Sequence, residues 1–143
     1  MTCLTPRSNC TEDDINYRTP RFPNLGVLLY NHLMTKNYLV PLSEIRREQK
    51  VLNSLFIATL APAFSIDEAR IFMKRIREEF SDASHNIPVY VIGGGNTVTE
   101  YFSDDGEPAG TSGKPALTVL RGSGLGDVVM VITRYFGGTL LGT

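Results

Sequence analysis

The run Val128-Val129-Met130-Val131-Ile132 carries no polar residue at any position. A strand with one face in water alternates apolar and polar side chains, whereas a strand covered on both faces is apolar throughout. The run therefore predicts a central strand, and with it a sheet wide enough to have a centre. Asn53 to Leu60 (NSLFIATL) is a short apolar stretch rich in β-branched and aromatic residues, ended by Ala61-Pro62, and reads as a buried strand. Pro88 to Ile92 and Val98 to Phe102 read as two more, joined through Gly93-Gly94-Gly95-Asn96, whose residues accept the positive φ of a hairpin turn. Tyr38-Leu39-Val40-Pro41 is a natural start for a first strand.

Two helices accompany these strands. Ser65-Ile66-Asp67-Glu68 has the form of a capping box, with the Ser65 hydroxyl accepting from the Glu68 N–H and the Glu68 side chain reaching back. Ile66, Ala69, Phe72, Met73, Ile76 and Phe80 then recur at three- and four-residue spacing. Arg70, Lys74, Arg75, Arg77 and Glu78 lie opposite, as a solvated face rather than a nucleic-acid contact. Thr111 or Ser112 can cap a second, short helix through Lys114 to Leu120, with Pro115 tolerated in its first turn and Gly122 ending it. The order β, α, β, β, α, β predicts an α+β fold: an antiparallel or mixed sheet with its helices on one face.

The 143 residues have room for one such domain. A formal charge of -1 provides no global attraction to polyanions, so any nucleic-acid contact must be local. Pro6, Pro20, Pro23 and the polar TEDD at Thr11 to Asp14 mark residues 1–37 as a poorly ordered leader ahead of a domain over 38–143. Its longest apolar run, Leu25 to Tyr30, is far short of the roughly 20 residues of a membrane span, and it lacks the layout of a signal peptide. A cytoplasmic location without membrane contact is expected. Cys3 and Cys10 are the only thiols and both sit in the leader, which argues against a disulfide framework or a Cys/His zinc site. Neither a metal nor a cofactor is expected.

Chemistry concentrates after residue 102. Asp104, Asp105 and Glu107 place three carboxylates within four residues, a donor set for a hard cation or an acid/base pair with His85 as base. Asp-Gly followed by Pro108 is equally ordinary turn chemistry. Gly110-Thr111-Ser112-Gly113-Lys114 is no Walker loop, because positions 108 and 115 are both proline, yet glycine-rich backbone entering a helix can still hold an anion on its N–H groups. Gly122 to Gly126 follows a helix and precedes a strand, the reverse of a dinucleotide fingerprint, and reads as a flexible connection. Arg134-Tyr135-Phe136-Gly137-Gly138 ends the central strand with a cation and two aromatics. These can stack a base and contact its phosphate, or close the end of the core while Arg134 pairs with the Asp104-Asp105 loop.

Taken together, SDDGEPAGTSGKP, GSGLGD and RYFGGTLLGT resemble the signature of the IMPACT/YigZ family, over about Tyr38 to Thr143 and most specifically from Ser103 onward. The resemblance implies the IMPACT N-terminal domain, whose α+β fold is similar to the second domain of ribosomal protein S5. It also implies a non-enzymatic binding module linked to regulation of translation, binding RNA or a protein partner, since the eukaryotic members are translational regulators that compete for the activator of the amino-acid-starvation kinase. The family's site-like features fall on His85, Asp104, Asp105, Gly106, Glu107, Pro108, Gly110, Gly113, Lys114, Pro115, Arg134, Tyr135, Gly137 and Gly138. Of these, Gly110, Gly113, Lys114, Arg134, Tyr135, Gly137 and Gly138, together with Thr111, are the expected binding residues. The rival expectation is a metal-dependent hydrolase or phosphoryl-handling enzyme that uses Asp104, Asp105 and Glu107 with His85.

Departures from the family pattern weigh against a basic or thiol-dependent site. Asn53-Ser54-Leu55-Phe56 stands where the family usually has Lys-Ser-Arg-Phe, and Asn86-Ile87-Pro88 where a cysteine usually follows the histidine. The family also continues past Gly142-Thr143 into a Gly-Gly turn and a helix on the sheet, and YigZ-like members add a ferredoxin-like domain. A helix with about four buried apolar side chains contributes roughly 6 to 12 kcal/mol at 1.5 to 3 each, comparable with the about 5 to 15 kcal/mol of an ordinary domain. The resemblance thus implies a chain that is marginally stable, self-associates through the uncovered C-terminal region of the sheet, or is part of a longer protein.

Overall fold

The computed structural model describes residues 38–94 and 97–138. Expectations for the leader, the hairpin apex at Gly95 and Asn96, and residues 139–143 fall outside these. The elements are β1 (Ile45–Val51), β2 (Ser54–Pro62), α1 (Ile66–Glu79), β3 (His85–Gly94), β4 (Thr97–Phe102), α2 (Gly113–Gly122) and β5 (Val128–Tyr135). All five strands join one antiparallel sheet in the order β1-β2-β5-β3-β4. The apolar run lies in β5, at the centre as expected, with Ile132 between Ala58 of β2 and Ile87 of β3.

The α+β class holds, but the helices do not share a face. Ala69, Phe72 and Ile76 of α1 pack on Ala61, Ala63, Tyr90, Val129 and Val131. Ala116, Leu117 and Leu120 of α2 pack on Val89, Val91 and Val128. Successive strand residues point to opposite faces, so the two helices cover opposite sides of the sheet. The unbroken apolar run explains the arrangement: Val129 and Val131 meet α1 while Val128 meets α2, and a strand apolar on both sides requires a cover on each.

The first strand is displaced from its expected position. Over 38–40 the backbone makes only an isolated parallel bridge, Leu39 to Leu125, and the first ladder strand is β1, IRREQKV. Its largely exposed side chains carry no apolar period, and the strand is defined by its register with β2, from Ile45 opposite Leu60 to Val51 opposite Ser54. The element order is therefore β, β, α, β, β, α, β. The segment Gly122 to Gly126, read as a flexible connection, is tied down instead. Leu39 N–H donates to Gly124 O (3.2 Å), Gly126 N–H to Leu39 O (2.9 Å), and Tyr38 Oη–H to Asp127 Oδ2 (2.6 Å). A side chain at Gly126 would meet the Gly93 carbonyl and the Tyr38 ring.

The capping box of α1 forms with one change. Glu68 N–H donates to Ser65 Oγ (3.2 Å), and the Glu68 carboxylate accepts from Phe64 N–H (2.8 Å), one residue beyond the cap. Among the described residues, no helix is long and apolar enough to cross a membrane.

Candidate functional site

One end of the sheet gathers the start of β2, the end of β5, the start of β3, the end of β4 and the first turn of α2. Phe56 lies opposite Arg134, and Arg134 opposite His85. Cross-strand partners share a face, so these three side chains stand in a row. Glu107, on the loop after β4, bends back over them. Its Oε1 ion-pairs with Arg134 Nη1 and lies 3.5 Å from His85 Nε2. The pair is nearly out of water, with the Glu107 side chain 9% and the Arg134 side chain 13% exposed. The Arg134 guanidinium is held over two rings, 5.5 Å from the centroid of Phe56 and 5.6 Å from that of Phe136, a cation–π clamp. Among the described residues its Nε, which is buried, has no hydrogen-bond partner. His85 Nδ1 lies 2.8 Å from the Asp105 carbonyl oxygen; a carbonyl only accepts, so Nδ1 carries the hydrogen and Nε2 faces Glu107.

The other two carboxylates turn elsewhere. Asp104 Oδ2 accepts from Gly110 N–H (2.9 Å), while its Oδ1 accepts from Ser112 N–H (3.1 Å) and Gly113 N–H (2.7 Å). The Gly110 and Gly113 bonds, then that of Ser112, hold the Asp104 carboxyl below the usual Asp range. Asp104 thereby caps α2, a role expected of Thr111 or Ser112. Ser112 makes no side-chain cap bond, and Thr111 Oγ1–H donates to Pro108 O (2.6 Å). It also occupies the N–H groups that would otherwise hold an external anion. Asp105 accepts from Asn86 N–H at Oδ2 (2.6 Å) and pairs with Arg77 at Oδ1. Asp105 and Gly106 sit at φ 47 and 87, a left-handed pair that Asp and Gly tolerate. The three carboxylates thus serve a turn, a cap and an ion pair. Among the described residues no group of three or more His, Cys, Asp or Glu is arranged to hold a metal ion.

The remaining expected residues are divided. Gly113 is buried, and a Cβ there would sit 2.7 Å from Ser103 O. Gly137 lies against the Asn53 backbone and donates from its N–H to Ser54 Oγ (3.1 Å). Lys114, Gly110 and Gly138 are exposed and Thr111 is half-buried. Tyr135 points to the opposite face from Arg134 and donates to Asp82 (2.8 Å), a bond that raises its phenol above the usual range. Phe56, Arg77 and Asn86 belong to the site without having been expected there. Asn86 Nδ2 donates to Phe80 O (3.1 Å) and its Oδ1 accepts from Thr133 Oγ1–H (2.8 Å). Polar residues at two adjoining, otherwise apolar strands were the available signal.

A five-strand antiparallel sheet with a helix on each face, and an Asp-Asp-Gly-Glu loop folded back over one end, defines an α+β domain of the IMPACT N-terminal type. Residues 52–143 match the Impact N-terminal domain family, and the chain belongs to the IMPACT family. It is 40% identical over 109 residues to IMPACT family member YigZ of Escherichia coli (strain K12), an alignment covering 76% of this chain and 53% of that protein. It is 44% identical over 107 residues to an IMPACT family member of Haemophilus influenzae, covering 74% and 52%. The crystal structure of a hypothetical protein superposes with a TM-score of 0.71 at 40% identity, over 73% of this chain and 52% of that one. The chain spans about half the length of the curated relatives it matches.

Proposed function

We propose that this chain is a non-enzymatic, cytoplasmic binding module of the IMPACT family, connected with translation, and that it engages a protein partner through the sheet end built by the 103–112 loop and the 134–138 segment. The observation that supports this reading is internal neutralisation. Arg134 is matched by Glu107, Asp105 by Arg77 and the Asn86 N–H, and Asp104 by three backbone N–H groups. Charges matched in this way leave little net field at the sheet end, although only the Arg134–Glu107 pair among them is buried. Around them Phe136 is 49% and Phe102 40% exposed, and aromatic side chains among neutralised charges suit the centre of a protein interface. Contact with RNA phosphates would require Arg134 to leave Glu107. The hydrolase alternative needs the side chains of His85, Asp104, Asp105 and Glu107 to converge, and of these side chains only those of His85 and Glu107 meet, His85 touching Asp105 at its backbone carbonyl. The link with translation rests on family membership.

A photoreactive phenylalanine analogue at position 136, used in cells, tests the reading. The expected result is a cross-link to a protein of the translation apparatus that Lys114→Glu weakens. Amide shifts over Gly110–Lys114 and Arg134–Gly138 on addition of a short RNA, abolished by Arg134→Ala, would replace the protein partner with RNA. Shifts at Asp104, Asp105 and Glu107 on addition of magnesium would return the enzyme reading.

A further inference from the structure

The two edges of the sheet differ in kind. An open edge presents unpaired N–H and C=O groups to any passing strand, and proteins usually blunt it with charge, proline or a bulge. β1 is blunted, since four of its seven residues are charged. β4, TVTEYF, has a single charge at Glu100, and that carboxylate is already bonded by Arg121 of α2, whose Nε–H donates to Oε1 at 2.6 Å. Val98, Tyr101 and Phe102 are 39, 42 and 40% exposed, so this six-residue strand holds three of the large apolar side chains left in solvent.

The ladder shows which backbone groups are free among the described residues. Ser103 N–H donates to Pro88 O at 3.1 Å, in register with Phe102 opposite Val89 and Tyr101 opposite Tyr90. Antiparallel pairs alternate between bonded and non-bonded. Thr97, Thr99 and Tyr101 are therefore bonded to β3, and Val98, Glu100 and Phe102 direct their N–H and C=O groups outward.

We propose that β4 is a docking edge for a second copy of this chain, the two β4 strands pairing antiparallel about Glu100 to form one continuous sheet. The register follows from the side chains. A two-fold axis at Thr99 sets Val98 against Glu100, and one at Tyr101 sets Glu100 against Phe102. An axis at Glu100 sets Val98 against the second copy's Phe102 on the α2 face and Thr99 against its Tyr101 on the α1 face, so the exposed apolar groups cover one another. It also brings together the outward groups of Val98, Glu100 and Phe102, closing about six backbone bonds. The two Glu100 carboxylates meet at the axis, each neutralised by the Arg121 of its own chain, which limits the repulsion between them. This edge differs from the C-terminal region of the sheet from which self-association was expected.

Sedimentation velocity of the 143-residue chain over about 1 to 100 µM tests the pairing, since dimer formation follows concentration. The expected mass rises from 15.8 kDa toward twice that value. Val98→Pro removes one outward donor and leaves the β3 ladder intact, and is expected to weaken association at least about tenfold, roughly the loss of 1.4 kcal/mol. If that variant loses amide dispersion, Val98→Lys makes the same test. With Cys3→Ser and Cys10→Ser, Glu100→Cys is expected to oxidise to a linked dimer, because bonded opposing residues lie about 5.5 Å apart at Cα, within disulfide range, whereas Thr99→Cys does not link. A chain that stays monomeric at the highest concentration, a dimer indifferent to both Val98 variants, or equal linking through Thr99→Cys overturns the proposal. So does a monomer whose outward β4 amides become protected only when a different protein is added.

Discussion

At the scale of single residues, the structure separates glycines and carboxylates that look alike in sequence. Gly137 and Gly138 are neighbours, yet a Cβ on Gly137 would run into the Asn53 backbone whereas one on Gly138 meets nothing among the described residues. Gly137→Ala, whose Cβ would lie within 2.5 Å of three backbone atoms, is expected to destabilise by about 3 kcal/mol or more through overpacking, and Gly138→Ala, strained only by its φ of 83, by about 1 to 2 kcal/mol; urea titration of the two variants checks the order. Glu107→Ala leaves Arg134 buried without its counter-charge and is expected to cost about 3 to 5 kcal/mol, whereas the double change Glu107→Leu with Arg134→Met recovers most of that loss. Asp104 carries a sign with pH. Its folded-state value is depressed, so its stabilisation is present above the ordinary Asp value of about 3.9 and is lost as pH falls through the depressed value. The stability gap between wild type and Asp104→Asn should therefore be present at neutral pH and close in acid, by urea midpoints. The turn chemistry of Asp105-Gly106 was legible from residue type. The cap by Asp104 was not, because its acceptors serve N–H groups six to nine residues away across a loop.

At the scale of elements, local rules succeeded where the stabilising contact is local. Ser65 caps α1 from three residues away, and Ser65→Ala is expected to cost about 1 kcal/mol. Ser112→Ala should cost little, since its hydroxyl makes no cap bond; thermal melts of the pair make the comparison. Strand ends were less legible. β3 starts at His85 and β5 runs to Tyr135, beyond the apolar runs, because the ladder continues through Asn86 and Thr133, whose buried side chains bond each other. β1 was missed for the complementary reason. An edge strand with polar side chains carries no period, and its existence depends on a partner elsewhere in the chain.

At the scale of the molecule, the central strand organises the rest. Amide exchange should be slowest in β5, which pairs on both sides and is covered on both faces, and faster in β1 and β4. If β4 pairs with a second copy, raising the concentration should slow exchange selectively at Val98, Glu100 and Phe102, an alternating pattern that folding alone does not produce. What the sequence by itself determined were properties of single segments: the central place of Val128 to Ile132, the capped amphipathic α1, the hairpin of β3 and β4, and the motifs that mark the family. These follow from neighbours within a few residues and from the two periods of helix and strand. Only the tertiary structure decided which face each helix covers and which partner each charge takes. Arg134 with Glu107, Arg77 with Asp105 and Arg121 with Glu100 join residues 21 to 28 positions apart. No spacing rule reaches across such intervals, because the partner is selected by strand order and register.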